Sequence, residues 1–208
     1  MAVPVLKRSR ANISAMIEEE ENIPINGTVV RKASKKKASE VSDDSYSIVE
    51  QERMKSVIRH ISHVQQSCSL LGERLILQGE VGMGRKLIAN GFIHDNSKFY
   101  GIEWKHLHDD VKVESPELFA SALQQHVLTN RHHPEYWDGI ENMPRLFLAE
   151  MICDWHARSS EFGTDLRGFI KEVATKKFKF TLQGKVYKDL KYFVDSLLDQ
   201  PFQKSTKK

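Results

Sequence analysis

A chain of 208 residues, 40% apolar and 28% charged with a formal net charge of +3, holds one domain of ordinary size and some excess. Its composition and mean hydropathy of −0.47 exclude fibrous and collagenous classes, and no run approaches the roughly 18–20 apolar residues of a bilayer span. The net charge is too small to argue by itself for nucleic acid.

Residues 1–45 join an acidic run, Glu18 to Glu21, to a basic one, Arg31, Lys32 and Lys35 to Lys37, with no sustained apolar period. Such a segment cannot bury enough surface to offset its chain entropy, so a flexible charged tail is expected, with a short helix near Ile13 to Glu21. Its basic run would either contact nucleic acid or mark a localisation signal, a solvated tail being the plainer reading. The opening MAVPVLKRSR lacks a signal-peptide core, so the expected location is cytoplasmic.

From Ser47 the pattern changes. Val57, Ile61, Val64, Cys68, Leu71 and Leu75 recur at spacings of three and four, which predicts an amphipathic helix running to the glycines around Gly79. A second helix is expected from Gly84 to about Phe99 on Leu87, Ile88 and Phe92. A third opens at Ser115-Pro116-Glu117, serine as cap and proline in the first turn, and carries Phe119, Leu123, His126 and Val127 until Pro134 stops it. A fourth starts near Pro144 with Leu146, Phe147, Glu150, Met151, Asp154 and Ala157. Phe178 to Tyr187 reads as a small hairpin or a loop, and a last helix spans about Lys188 to Leu198. The fold class is mostly α, with a helical domain over 46–175 and an extension over 176–208 that ends in the terminal helix.

The glycine-rich stretch Gly79 to Lys86 is no phosphate loop. Arg85 stands where the lysine should follow Gly84, Leu87 replaces the hydroxyl, and no strand precedes it, so it reads as a turn between helices. Cys68 and Cys153 sit in no metal-binding pair and read as small buried hydrophobes in a reducing compartment.

The informative count is nine histidines. At about 100° per residue His60 lies closer to the centre of the first helix's apolar stripe than His63, so His60 is expected to point inward. Asp154 stands in the apolar stripe of the fourth helix with Glu150 one turn before it, and a buried carboxylate needs a strong partner. His94 and Asp95 are adjacent, and His126 is followed by Asn130 and by His132-His133. His106, His108 and His156 have the ordinary reading of hydrogen-bonded boundary residues. Imidazoles and carboxylates arriving from four helices are what a borderline divalent ion requires, and five or six of them suggest two ions sharing a carboxylate, for which Asp95 is the natural bridge.

His60, His94-Asp95 and Asp154 resemble the H…HD…D pattern of the HD-domain superfamily of metal-dependent phosphohydrolases, and the chain is identified as HD-like over about residues 55–175. Lys98 follows Asp95 as in the HDxxK variant. His94 to Phe99 with Glu103-Trp104, Asn130 to Trp137 and Glu150 to Trp155 are similar to an uncharacterised HD-like family common in phage and bacterial genomes. The resemblance implies an HD-like helical bundle, and a phage-encoded chain would work in the host cytoplasm. It implies a first ion on His60, His94, Asp95 and Asp154, and a second on Asp95, His126 and one or both of His132 and His133, the ions being Mn, Fe, Co, Ni or Zn. Lys98 and Arg131 would pair with phosphate oxygens, and Glu103 and Glu150 would orient the ligating imidazoles. Tyr136, Trp137 and Trp155 would either stack on a base or pack in the core, the second being the plainer reading. The leading expectation is a phosphohydrolase acting on a nucleotide or related small phosphate ester. Two alternatives stand beside it, an HD-fold di-iron oxygenase and a non-catalytic module that binds a nucleotide or a protein.

Overall fold

The computed structural model describes residues 47–199; the expected tail over 1–45, its helix near Ile13 and the last nine residues lie outside them. The described part is helical throughout, with no strand. The first helix, α1 (Ile48–Leu77), is 30 residues and so roughly 45 Å long at 1.5 Å per residue. It buries His60, Val64, Ser67, Cys68, Leu71, Gly72 and Leu75, the stripe expected from spacing, with His60 continuing it. It stops in a Schellman turn: Glu80 N–H donates to Leu75 and Gly79 N–H to Ile76, with Gly79 at φ +92°, where a side chain would be strained.

α2 (Val81–Gly91) follows at once. The helix expected to reach Phe99 ends eight residues short of that. Asp95 takes the left-handed conformation, φ 55° and ψ 20°, which no helix continues through, and Asn96–Phe99 is a separate 3-10 turn. The glycines around this point serve packing. A methyl on Gly84 would strike the Gly72 carbonyl, and one on Gly91 would come 2.7 Å from Cys68 Cβ. The α1 and α2 backbones therefore nearly touch, which brings His94, just beyond α2, toward His60.

Two short helices, α3 (Gly101–His106) and α4 (Asp109–Glu114), precede α5 (Pro116–Thr129). Ser115 does not cap α5 with its side chain; only its carbonyl accepts, from Leu118 and Phe119 N–H. α5 ends before the proline as expected, and 3-10 turns cover Pro134–Trp137 and Ile140–Asn142. α6 (Arg145–Phe162) opens on Pro144, whose carbonyl accepts from Phe147 and Leu148. α7 (Leu166–Phe169) runs through a π turn at Ile170–Ala174 into α8 (Thr175–Lys177). The segment Phe178 to Gly184 is a loop closed by Gly184 N–H on Thr181, not a hairpin, and α9 (Lys185–Leu198) begins three residues earlier than expected.

α1, α2, α6 and α9 enclose the core, with Leu71, Leu75, Leu87, Leu148, Ile152, Leu190 and Phe193 inaccessible or nearly so. Each such side chain stabilises the fold by about 1.5–3 kcal/mol relative to exposure. Cys68 and Cys153 are buried free thiols within this core, as expected. α5 packs on α3 and α4. Histidines and carboxylates are drawn from both groups of helices. No described helix is long and apolar enough to cross a membrane.

Candidate metal centre

Asp95 is the hub. It is 2% exposed, and its left-handed backbone, which costs about 1–2 kcal/mol in a residue with a side chain, turns the carboxylate into the cluster. The two carboxylate oxygens face different neighbours. Oδ2 lies 3.5 Å from His94 Nε2, 3.9 Å from His60 Nε2 and 2.7 Å from Lys98 Nζ. Oδ1 lies 3.4 Å from His132 Nε2 and 3.5 Å from His126 Nε2. Asp154 Oδ1 comes from α6 to 3.0 Å from His60 Nε2, and His133 Nε2 lies 3.0 Å from His126 Nε2. All seven residues expected to hold metal are thus brought together, and His132 and His133 both take part, which spacing left open.

The outer nitrogens of three of these rings, His60, His94 and His126, are held by carboxylates. His94 Nδ1 is 3.1 Å from Glu150 Oε1, and His132 Nδ1 is 3.7 Å from the same oxygen, while Asn90 donates to Glu150 Oε2 at 2.7 Å. Glu103 Oε2 takes His126 Nδ1 and the Ser97 hydroxyl, each at 2.8 Å, and Asn130 donates to Ser97 and to the His126 carbonyl. A carboxylate on Nδ1 fixes the proton there and leaves the Nε2 lone pair pointing inward, the usual setting of a metal-ligating imidazole. Glu103 and Glu150 thus stand where an orienting role needs them.

Glu161 has the same place for His60, at 3.1 Å from its Nδ1, and the sequence reading did not single it out. The signal was there: Glu150, Asp154 and Glu161 follow one face of α6. Glu161 also holds His63 at 3.2 Å and Arg158. His63 is half-exposed, as its position on the helix predicted.

Among the described residues three groups can each hold an ion: His60, His94 and Asp154; His94, Asp95 and His132; and His126, His132 and His133. The donors fit such an ion. His94 Nε2, Asp95 Oδ1, His132 Nε2 and Asp154 Oδ1 are all buried without a hydrogen-bond partner, a state that costs about 1–3 kcal/mol per group unless something satisfies it. Electrostatics divides the ligands. Burial alone would push His94 down, but the Asp95 carboxylate and the bond to Glu150 outweigh it and hold the ring up at about 9. Burial, with the His94 charge beside it, drops His132 to about 4, and burial with His132 and His126 nearby takes His133 well below the ordinary range. Burial opposes ionisation of Asp95 and Asp154, yet Lys98 and His94 for the first, and His60 and His94 for the second, keep both well below the usual carboxylate range.

The other expected residues divide. Lys98 is in the cluster, though paired with Asp95. Arg131 is not: its guanidinium lies over the rings of Tyr136 and Phe147, at 5.8 and 5.9 Å. Trp155 is enclosed by Phe169 and Phe178, and Trp137 packs on Phe147 and donates to the Arg131 carbonyl, so packing is the reading that holds for both. His156 bonds Ser67 and His108 bonds the Lys105 carbonyl, and these two, like His106, lie outside the three groups.

The chain belongs to a family of unknown function, DUF5662, whose profile matches residues 49–200 and so takes in every residue of the cluster described above. No curated protein and no solved structure matches it.

Proposed function

We propose that this protein is a metal-dependent phosphohydrolase of the HD type, acting on a small phosphate ester, nucleotides included, with two divalent ions held by His60, His94, Asp95, Asp154, His126, His132 and His133. The observation that carries the reading is the convergence of four imidazole Nε2 atoms on the two oxygens of one buried aspartate, with His133 Nε2 beside His126 Nε2 at 3.0 Å. Two ions bound there would supply a lowered pKa for water and polarise a phosphoryl oxygen.

The chain's own groups supply the rest. Glu103, Glu150 and Glu161 keep the Nδ1 protons of the ligating rings in place. Lys98, 17% exposed and held on Asp95, is the one cation of the described residues in contact with the hub, and turning toward a substrate it would pair with a phosphoryl oxygen. Burial of the cluster keeps bulk water from competing for these contacts. Trp155 and Trp137 pack on aromatic neighbours, so the reading rests on the phosphate ester rather than on a base stacked on either of them.

The test is turnover of a panel of nucleotides, sugar phosphates and a generic phosphodiester with Mn²⁺, Co²⁺, Mg²⁺ and Fe²⁺. Hydrolysis above a His94→Ala/Asp95→Ala control is expected, and none on any pair would sink the reading. Five imidazoles against two carboxylates also suit iron. Two irons per chain with O₂ uptake on a polyol or phosphonate, and no hydrolysis, would put the oxygenase in its place.

A further inference from the structure

We propose that the first ion enters a central site made of His94, Asp95 and His132, and that a second ion draws His94 and His132 apart into the two outer groups. The proposal rests on the metal reading above. Each ring has a single inward nitrogen, so it serves one ion at a time. Of the three groups, only the two outer ones, His60–His94–Asp154 and His126–His132–His133, share no residue, and only they can be filled together. The central group shares His94 with one and His132 with the other, so it can be filled only when neither is complete.

The donors are set for the central site. His94 Nε2, Asp95 Oδ1 and His132 Nε2 are buried and unpartnered, and one ion would satisfy all three without breaking a contact. The outer groups are less open. His126 and His133 share a hydrogen bond between their Nε2 atoms, and of the His60–His94–Asp154 donors only His94 Nε2 and Asp154 Oδ1 are unpartnered, with His60 Nε2 3.0 Å from Asp154 Oδ1. The central rings are also built as a pair: their Nδ1 atoms face the same oxygen of Glu150, at 3.1 and 3.7 Å, and Asn90 pins that carboxylate from the other side. Lys98 occupies Asp95 Oδ2 and leaves Oδ1, on the His132 side, for an ion.

Zinc titration of the full chain by calorimetry, with the His60→Gln, His132→Gln and His133→Gln variants, separates the possibilities. The first event should weaken by about 100-fold in His132→Gln and stay within about three-fold in the other two, which lose the second event instead. A first event that depends on His60 or on His133, or that survives in His132→Gln, overturns the proposal. Ring-nitrogen NMR of the unaltered chain gives the same answer without relying on a variant to fold. At one equivalent the Nε2 signals of His94 and His132 should shift while those of His126 and His133 hold until the second, and the reverse order overturns it. No zinc bound by the unaltered chain at all would instead remove the metal reading itself.

Discussion

The Nε2 atoms of His126 and His133 face each other at 3.0 Å. Since Glu103 holds the Nδ1 proton of His126, its Nε2 is the acceptor and His133 must donate from Nε2. An ion bound by both rings requires His133 to move that proton to its other nitrogen. Without metal the bond remains, tying the segment after α5 back onto that helix. Chelator-treated protein is therefore expected to keep its helical circular dichroism and to lose only the stabilisation that ligation adds. At an ion concentration about 100 times Kd that is about 2.7 kcal/mol, or a Tm lower by about 5–10 °C for a chain of this size. Collapse of the helical signal on chelation would show that the cluster cannot form before the metal.

Glu103 is 4% exposed and gives one oxygen to two donors, His126 and Ser97. Glu103→Gln keeps the shape but removes the charge and allows an amide to face His126. Loss of such an outer carboxylate costs about 10–100-fold in metal affinity. The second binding event should weaken by that factor, and the first, clamped by Glu150, by far less. Equal weakening of both would mean that Glu103 acts on the whole cluster through the fold.

The glycine pattern after α1 gives a pair of opposite outcomes. A methyl at Gly84 meets backbone, the Gly72 carbonyl, which cannot yield as a flexible side chain would, whereas at Gly82 it meets nothing within 4 Å. Gly84→Ala should destabilise the protein by about 1–3 kcal/mol or more through overpacking. Gly82→Ala should stabilise it by about 0.5–1 kcal/mol through the entropy of the unfolded chain. Urea denaturation of the two variants decides it, and a neutral Gly84→Ala would mean that α1 and α2 can part without cost.

Those same glycines show what the sequence made legible and what it hid. The failed lysine and hydroxyl positions ruled out a phosphate loop correctly, but no local signal tells a turn glycine such as Gly79 from a close-packing one such as Gly84; only the partner helix does. The α1 stripe, the proline at the start of α5 and Pro144 before α6 were readable because spacing and proline chemistry are local. The end of α2 was not, because Asp95 leaves the helix for the sake of contacts with residues up to 37 positions away. α3 and α4 were missed because six residues are too few to display a period. The residues of the cluster were legible as polar residues among apolar ones. Arg131 was assigned by chemistry alone, and its guanidinium instead found two aromatic faces.

The histidines set the pH at which the metal-free protein is most stable. His94 is held at about 9 against 6.5 unperturbed, so the folded state binds the extra proton between those values. Its contribution is complete below 6.5 and is lost as pH rises through 9. His132, depressed to about 4, works the other way, and His133 shares its direction: the unfolded chain takes up the proton first, so stability is lost as pH falls from 6.5 toward 4. Metal-free protein should therefore melt highest near pH 6.5 and lower on both sides. Melting curves from pH 4 to 9.5 in the presence of a chelator check this, and a Tm that climbs steadily from pH 6.5 to 9 would contradict it.

Lys98 makes two opposite demands on one carboxylate. Its ammonium lies 2.7 Å from Asp95 Oδ2, the oxygen turned toward His94 and His60, so it stands where the charge of a second ion would be felt most. Replacing it by glutamine removes a competing cation from the hub. The second binding event should then tighten by about ten-fold, or about 1.4 kcal/mol, with the first changed less because Oδ1 is already open. Under the proposed hydrolysis the same substitution removes the cation that would meet the phosphoryl oxygen, so kcat should fall although the site fills more readily. Parallel zinc titration and turnover of Lys98→Gln read both signs in one protein. Weaker binding together with slower turnover would show that Lys98 supports the cluster rather than competing within it, and its place beside the substrate would have to be given up.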